Sequence, residues 1–223
     1  VRAFFSLCLI FAVAGAGRAD PALDAAIGLY RNKQYPAAQA ALEQVASATP
    51  ADPGACYYLG MTLRHRGDDQ ALEAALPWLE KAVSLAPANA TYLGDYGGTC
   101  LQLADKHRSF SFATRGRNAM EKAVQLDPDN LDARNGLLQF YARAPWPLGS
   151  KTRARAQADE IARRDPARGL RAFLILGRSF EKAGDRESAR EAYGVALRLA
   201  PASPEVAAAL ARLGAAPAVG AGH

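Results

Sequence analysis

The chain has 223 residues, half of them apolar but only 8% aromatic, with a formal net charge of +5 from 27 basic and 22 acidic side chains. That length suffices for one elongated domain. The basic excess is mild, and runs of Val, Ile and Thr alternating with polar residues are so few that neither a strand nor a βαβ unit is expected, which leaves an all-α class.

The first residues stand apart from the rest. VRAFFSLCLIFAVAGAGRAD carries an early Arg2, an apolar run from Ala3 to Ala16, and small residues around Gly17, Arg18 and Ala19. This is the pattern of a secretory signal peptide over residues 1–19, with cleavage after Ala19 and Asp20 as the new N-terminus. The run is shorter than the roughly 18 to 20 apolar residues a spanning helix needs, so no stable membrane span is expected after cleavage. Cys8 sits inside the run behind Phe5, Ser6 and Leu7, unlike the small-residue approach of a lipoprotein. Loss of Arg2 and Arg18 lowers the formal charge from +5 to +3. The expected compartment is the periplasm or the exterior.

Beyond the leader, one template recurs: a small residue, a bulky one four later, a small one three later and a Pro five later. It is met at Ala38, Leu42, Val45 and Pro50, and again at Ala75, Leu79, Ala82 and Pro87. Gly116, Met120, Ala123 and Pro128 form the third match, and Ala189, Tyr193, Ala196 and Pro201 the last. Between them, Ala154, Ala158, Ile161 and Pro166 keep the spacing but place the small Ala158 at the bulky position. Self-similarity at a period of about 35 to 41 residues marks a solenoid whose units bury a face only by stacking on their neighbours.

Ahead of the closing segments, YYLGMTLRHRGD and LILGRSFEKAGD each read as a helix ending at a Gly turn. Gly60 and Gly177 fall in mid-helix, where Gly costs about 1 kcal/mol against Ala. A close helix crossing there would justify that cost. Gly67 and Gly184 supply the left-handed residue that stops the first helix. Each unit is therefore helix, turn, helix, and the residue before each Pro is pushed out of the helical region.

In these residues the chain resembles the tetratricopeptide repeat family over Leu23 to Leu213. The last unit matches best, whereas the second, third and fourth carry about three, seven and six extra residues over the family's repeat. The resemblance implies an all-α, right-handed solenoid of about five helix hairpins over residues 20–213. A closing helix from Ser203 to Leu213 is expected, with Ser203 as N-cap and Pro204 in the first turn, followed by a tail over 214–223. The run from Ala104 through FYARAPWPLGSKTRARAQADEI also resembles exported bacterial repeat proteins of undefined function.

No constellation for catalysis, cofactor or metal stands out. The histidines are His65, His107 and His223, and none has a second ligand at metal spacing. Ser109 and Ser111 near His107 read as a polar turn, with Phe110 and Phe112 dipping into the core. The mature pair Cys56 and Cys100 falls seven residues out of register on neighbouring first helices, about 10 Å along the axis, too far for a disulfide. Two buried free thiols are expected. Arg153, Arg155, Arg163, Arg164, Arg168 and Arg171 form a basic cluster broken by Asp159, Glu160 and Asp165. It reads as a solvated face with internal ion pairs rather than a nucleic-acid site.

Two surfaces remain as candidates for binding. Counting one, four and five places beyond the small mid-helix residues gives Met61, Arg64 and His65 after Gly60, with Tyr57 before it. From Gly136 the same count gives Leu137, Phe140 and Tyr141, and from Gly177 it gives Arg178, Glu181 and Lys182. Tyr30 and Arg31 extend the set in the first unit. This mixture suits a peptide with apolar anchors and some acidic character. The second surface is the loop ARAPWPLGSK, where Pro145 and Pro147 stiffen the chain around Trp146. A non-catalytic scaffold for a protein or peptide partner is the leading expectation. The alternative is an accessory that positions an envelope hydrolase or polysaccharide-assembly enzyme.

Overall fold

The computed structural model describes residues 20–68, 70–145 and 147–214. The readings placed on residues 1–19, on Trp146 and on the tail beyond Gly214 lie outside them. Among the described residues there are eleven helices and no strand. They pair as five antiparallel hairpins: α1 (Pro21–Arg31) with α2 (Tyr35–Ala48), α3 (Pro53–Arg64) with α4 (Ala71–Leu85), α5 (Ala90–His107) with α6 (Phe110–Leu126), α7 (Leu131–Arg143) with α8 (Lys151–Arg164), and α9 (Pro166–Lys182) with α10 (Arg186–Leu199). The closing helix α11 (Pro204–Gly214) lies against α10. It runs one residue into the expected tail, and Ser203 Oγ accepts from the Val206 N–H at 3.4 Å as its cap.

Short polar side chains set where the helices begin. Asp52, Asn89, Asn130, Asp165 and Asp185 each accept a backbone N–H of the following first turn, which removes one orphan donor per helix. Gly67 and Gly184 hold φ of 76° and 75° at the turns after α3 and α9. In the third hairpin that left-handed role falls to Arg108, φ 50°, at a cost of roughly 1 kcal/mol for a residue with a Cβ. Pro166 does not follow a stop but starts α9, because Asp165 serves at once as C-cap of α8 and N-cap of α9.

The repeat template is the contact between the two helices of a hairpin. A Cβ built on Gly60 would lie 2.8 Å from Leu79 Cγ, one on Gly97 would lie 2.7 Å from Met120 Cγ, and one on Gly177 would lie 2.3 Å from Tyr193 Cε1. The small residue of the first helix thus receives the bulky residue of the second. The fourth hairpin exchanges the two sizes. Leu138, ten residues after Pro128 as Gly60 is ten after Pro50, holds the crossing register and is fully buried in the same core cluster as the small Ala158. That exchange explains the weak fourth match, and it corrects the register counted from Gly136. Gly136 instead lets α7 close on the preceding hairpin, where a Cβ would fall 2.4 Å from Met120 Cε.

The extra residues are absorbed differently in each unit. In the third they lengthen α5 and α6 to 18 and 17 residues, so Phe110 opens α6 and is 62% exposed rather than dipping into the core. In the fourth they form the connection between α7 and α8. Cys56 and Cys100 are both free and fully buried, and burial raises both thiol pKa values.

Candidate functional site

The first helices of successive hairpins touch one another, α1 with α3, α5 with α7, and α7 with α9. Their shared outer side forms one groove of about 1590 Å³ crossing α3, α5, α7 and α9. Gly94, Gly98 and Gly136 line it, the first and last where α5 and α7 pack on their neighbours, and Gly98 where the floor is left low. A Cβ on Gly98 would meet nothing nearer than Met120 Cε at 3.5 Å, so the space above it is open. Leu101, Phe140 and Ile175 give the lining apolar patches, and Asp95, Asn135 and Gln139 supply polar groups.

Of the residues expected in the groove, the structure brings four into it: Arg64, Phe140, Arg178 and Lys182. Arg64 is partly held back, with its Nη1 3.8 Å from Asp95 Oδ1. Arg178 reaches Glu205 on α11. Phe140 is half-buried and meets Tyr141 edge-on, ring centroids 5.5 Å apart.

The others are engaged in packing. Tyr57 is 9% exposed, stacks on Tyr92 at 4.3 Å and donates its hydroxyl to Asp95 Oδ2 at 2.7 Å. Burial first, and then the Asp95 charge, push its phenol well above the usual range. Tyr30 and His65 belong to one ring cluster, in which His65 stacks on Tyr35 at 4.6 Å and Tyr30 meets Tyr58 edge-on. Burial, with Arg64 and Lys33 adding positive charge, lowers the His65 pKa. Met61 is half-buried against the same core, whereas Arg31 is exposed, is not part of that packing and does not line the groove.

The fourth-hairpin residues were misplaced by the register. Leu137 is core at 2% exposure. Tyr141 is buried, donates to Glu121 and lies under Arg153, on the side of the second helices. Burial and the Glu121 contact raise its phenol to about 12. Glu181 turns away in the same manner, accepting from Tyr193. Counting from Leu138 places Gln139, Ala142 and Arg143 in the groove, as found. The fixed distance from Pro128 was the signal that finds them. Pro145 lines the groove's edge, whereas Pro147 is exposed and does not line it.

His107 Nε2 lies 2.7 Å from Glu73 Oε1, and Lys106 Nζ is 2.9 Å from the same oxygen, so the imidazole is engaged with a carboxylate. Lys106 first, with His107 helping, holds the Glu73 carboxyl at about 2. Among the described residues no group of three His, Cys, Asp or Glu side chains is placed to hold a metal ion. The basic cluster is a lattice of ion pairs, with Arg164 on Asp129 at 2.6 Å and on Glu160, and Arg168 on Asp132 at 2.9 Å. Arg134, which the sequence did not mark, is buried at 6% exposure and donates to Pro128 O at 2.7 Å.

Stacked helix hairpins with a groove lined by the first helix of each define a helical-repeat scaffold. The tetratricopeptide repeat profile matches residues 23–90 and 142–204, more than half of the chain. The chain belongs to the tetratricopeptide repeat family, whose fold serves as a protein–protein interaction scaffold and is in general non-catalytic. Solved structures agree on the fold. YrrB, described as a TPR protein with an unusual peptide-binding site, is 19% identical with a TM-score of 0.67 over 86% of this chain and 91% of its own. The MamA protein is 20% identical with a TM-score of 0.65 over 80% and 89%. TTC0263 from Thermus thermophilus is 20% identical with a TM-score of 0.56 over 86% and 96%. No sequence among the curated proteins matches this chain.

Proposed function

We propose that this protein is a non-catalytic scaffold of the bacterial cell envelope that holds a segment of a partner protein in the groove across α3, α5, α7 and α9. The observation carrying this reading is the open groove itself, about 1590 Å³ with a low floor at Gly98 and mixed apolar and charged walls. Such a trough admits a peptide backbone close to the helices while its walls select side chains. The peptide-binding site ascribed to its fold neighbour YrrB supports the same use. Export rests on the leader pattern in residues 1–19. No described helix is long and apolar enough to cross a membrane.

Filling the groove tests the scaffold reading. Gly98→Leu starts a side chain above the floor from a Cβ that meets only Met120 Cε, at 3.5 Å, and it favours the helix by up to about 1 kcal/mol. Partners captured by the wild type from envelope extracts should be lost with Gly98→Leu while melting is unchanged or raised. Capture of the same proteins in equal yield by both would refute the groove. N-terminal sequencing of the exported protein should begin at Asp20, and a retained leader would refute the cleavage site.

A further inference from the structure

Three cations at one edge of the groove have no partner among the described residues. Arg108 caps the end of α5, Arg143 is the last residue of α7, and Lys182 is the last residue of α9. All three are exposed and line the groove. The groove's other cations are engaged: Arg64 with Asp95, Arg168 with Asp132 and Asp165, and Arg178 with Glu205. Asp105 is the acidic side chain that shares this edge, so positive charge is in excess there.

An apolar feature lies among these charges. Phe110, 62% exposed, stands next to Arg108 at the tip of the long third hairpin, and Pro145 and Leu148 of the following connection line the same edge. Helix C-termini favour cations through the macrodipole, which accounts for a basic residue at each end. It does not account for a large aromatic left in solvent in the same groove.

We infer that this edge seats an extended, acidic peptide segment of the partner that carries one bulky apolar side chain, the charges meeting Arg108, Arg143 and Lys182 and the apolar group meeting Phe110. The inference rests on the groove reading above and names the partner's chemistry. Its spacing follows from the fold. Neighbouring packed helices lie about 8 to 10 Å apart, and Ser179 Oγ, donating to Ala142 O at 2.7 Å, ties the ends of α7 and α9 together. An extended chain of polyproline II type has three residues per turn and rises about 3.1 Å per residue, so carboxylates three residues apart recur on one face about 9 Å apart and match successive cations. A single-stranded nucleic acid also offers phosphates and could stack a base on one exposed ring; a peptide is favoured because the fold serves as a protein–protein interaction scaffold and because Pro145 and Leu148 add aliphatic surface to the edge.

The test uses the full-length protein and fluorescence anisotropy. The probe is a labelled synthetic peptide with Asp at every third position and one central Phe. Two controls are the same composition with the Asp residues clustered, and single-stranded DNA of similar length. The spaced peptide should bind best, more weakly as salt rises, and Arg143→Glu, Lys182→Glu and Phe110→Ser should each weaken it by about threefold to tenfold. Arg108→Gly removes a charge while relaxing a left-handed backbone position, so its loss of binding cannot be ascribed to unfolding. Lys122→Glu, on an exposed face of α6 outside the groove, should change nothing. Loss of binding with Gly98→Leu but not with the edge variants would overturn this inference and leave the groove standing. Binding indifferent to both sets would overturn both. Absence of binding, preference for the clustered peptide, or equal binding of DNA would also overturn it.

Discussion

Replacing Gly97 by alanine would set a new Cβ 2.7 Å from Met120 Cγ and 2.9 Å from the carbonyl oxygen of Gly116. The Met side chain can swing aside, but the Gly116 oxygen belongs to the backbone of α6, so the α5–α6 crossing has to open by a few tenths of an ångström. Overpacking of this kind costs about 1 to 3 kcal/mol. Relief of the helix propensity penalty returns about 1 kcal/mol. Gly97→Ala should therefore destabilise by up to about 2 kcal/mol, and Gly97→Val by more, since it adds bulk and loses propensity. One residue along, the sign reverses. Gly98→Ala places its Cβ 3.5 Å from Met120 Cε, an ordinary contact, and should stabilise by about 0.5 to 1 kcal/mol. Urea unfolding followed by far-UV circular dichroism measures both, with hydrogen exchange in α5 and α6 as a local probe because repeat arrays do not always unfold in one step. Equal midpoints for Gly97→Ala and Gly98→Ala would refute the argument that the recurring small residue is a helix-crossing site.

Truncation after Ala202 removes Val206, Ala209 and Leu213, which are 0%, 2% and 4% exposed, and should lower the melting temperature by about 10 °C; no change would remove the capping role of α11. Glu73 is held at about 2, chiefly by Lys106. A depressed carboxyl stabilises the fold above its unfolded pKa and loses that effect as pH falls through the folded one, so the deficit of Glu73→Gln should be present at neutral pH and shrink between about pH 4.5 and pH 2. Constant deficit across that window in acid melts would contradict the pairing. Tyr57→Phe removes the 2.7 Å bond to Asp95 and should cost about 1 kcal/mol in denaturant titration without abolishing partner capture. Cys56 and Cys100, both fully buried, should resist a thiol reagent in the native protein and react once it is unfolded; fast native labelling would contradict their burial.

The hairpins were legible in the sequence because their signals are local. Ala38, Leu42, Ala75, Leu79, Ala189 and Tyr193 recur at one spacing and are all fully buried. A helix turns every 3.6 residues wherever it is, so a fixed interval names a fixed face. The stop and start residues are as local, and Gly67 and Asp52 act within one turn of where they stand.

The groove was only half legible, because its register depends on which residue lies at each helix crossing. A large residue and a small one can be exchanged across a crossing with the volume unchanged, and the fourth hairpin does this with Leu138 and Ala158. The glycine that looked like the crossing residue, Gly136, closes instead on Met120 of the hairpin before. That moved Tyr141 from the groove to the opposite side of α7, and brought in Gln139 and Arg143. Composition and spacing alone thus determined an all-α array, its units and their helix ends. Only the tertiary structure decided which aromatic rings pack against each other, as Tyr57 does on Tyr92, and which cations remain unpaired, because pairing is settled by side chains that meet in space from different hairpins.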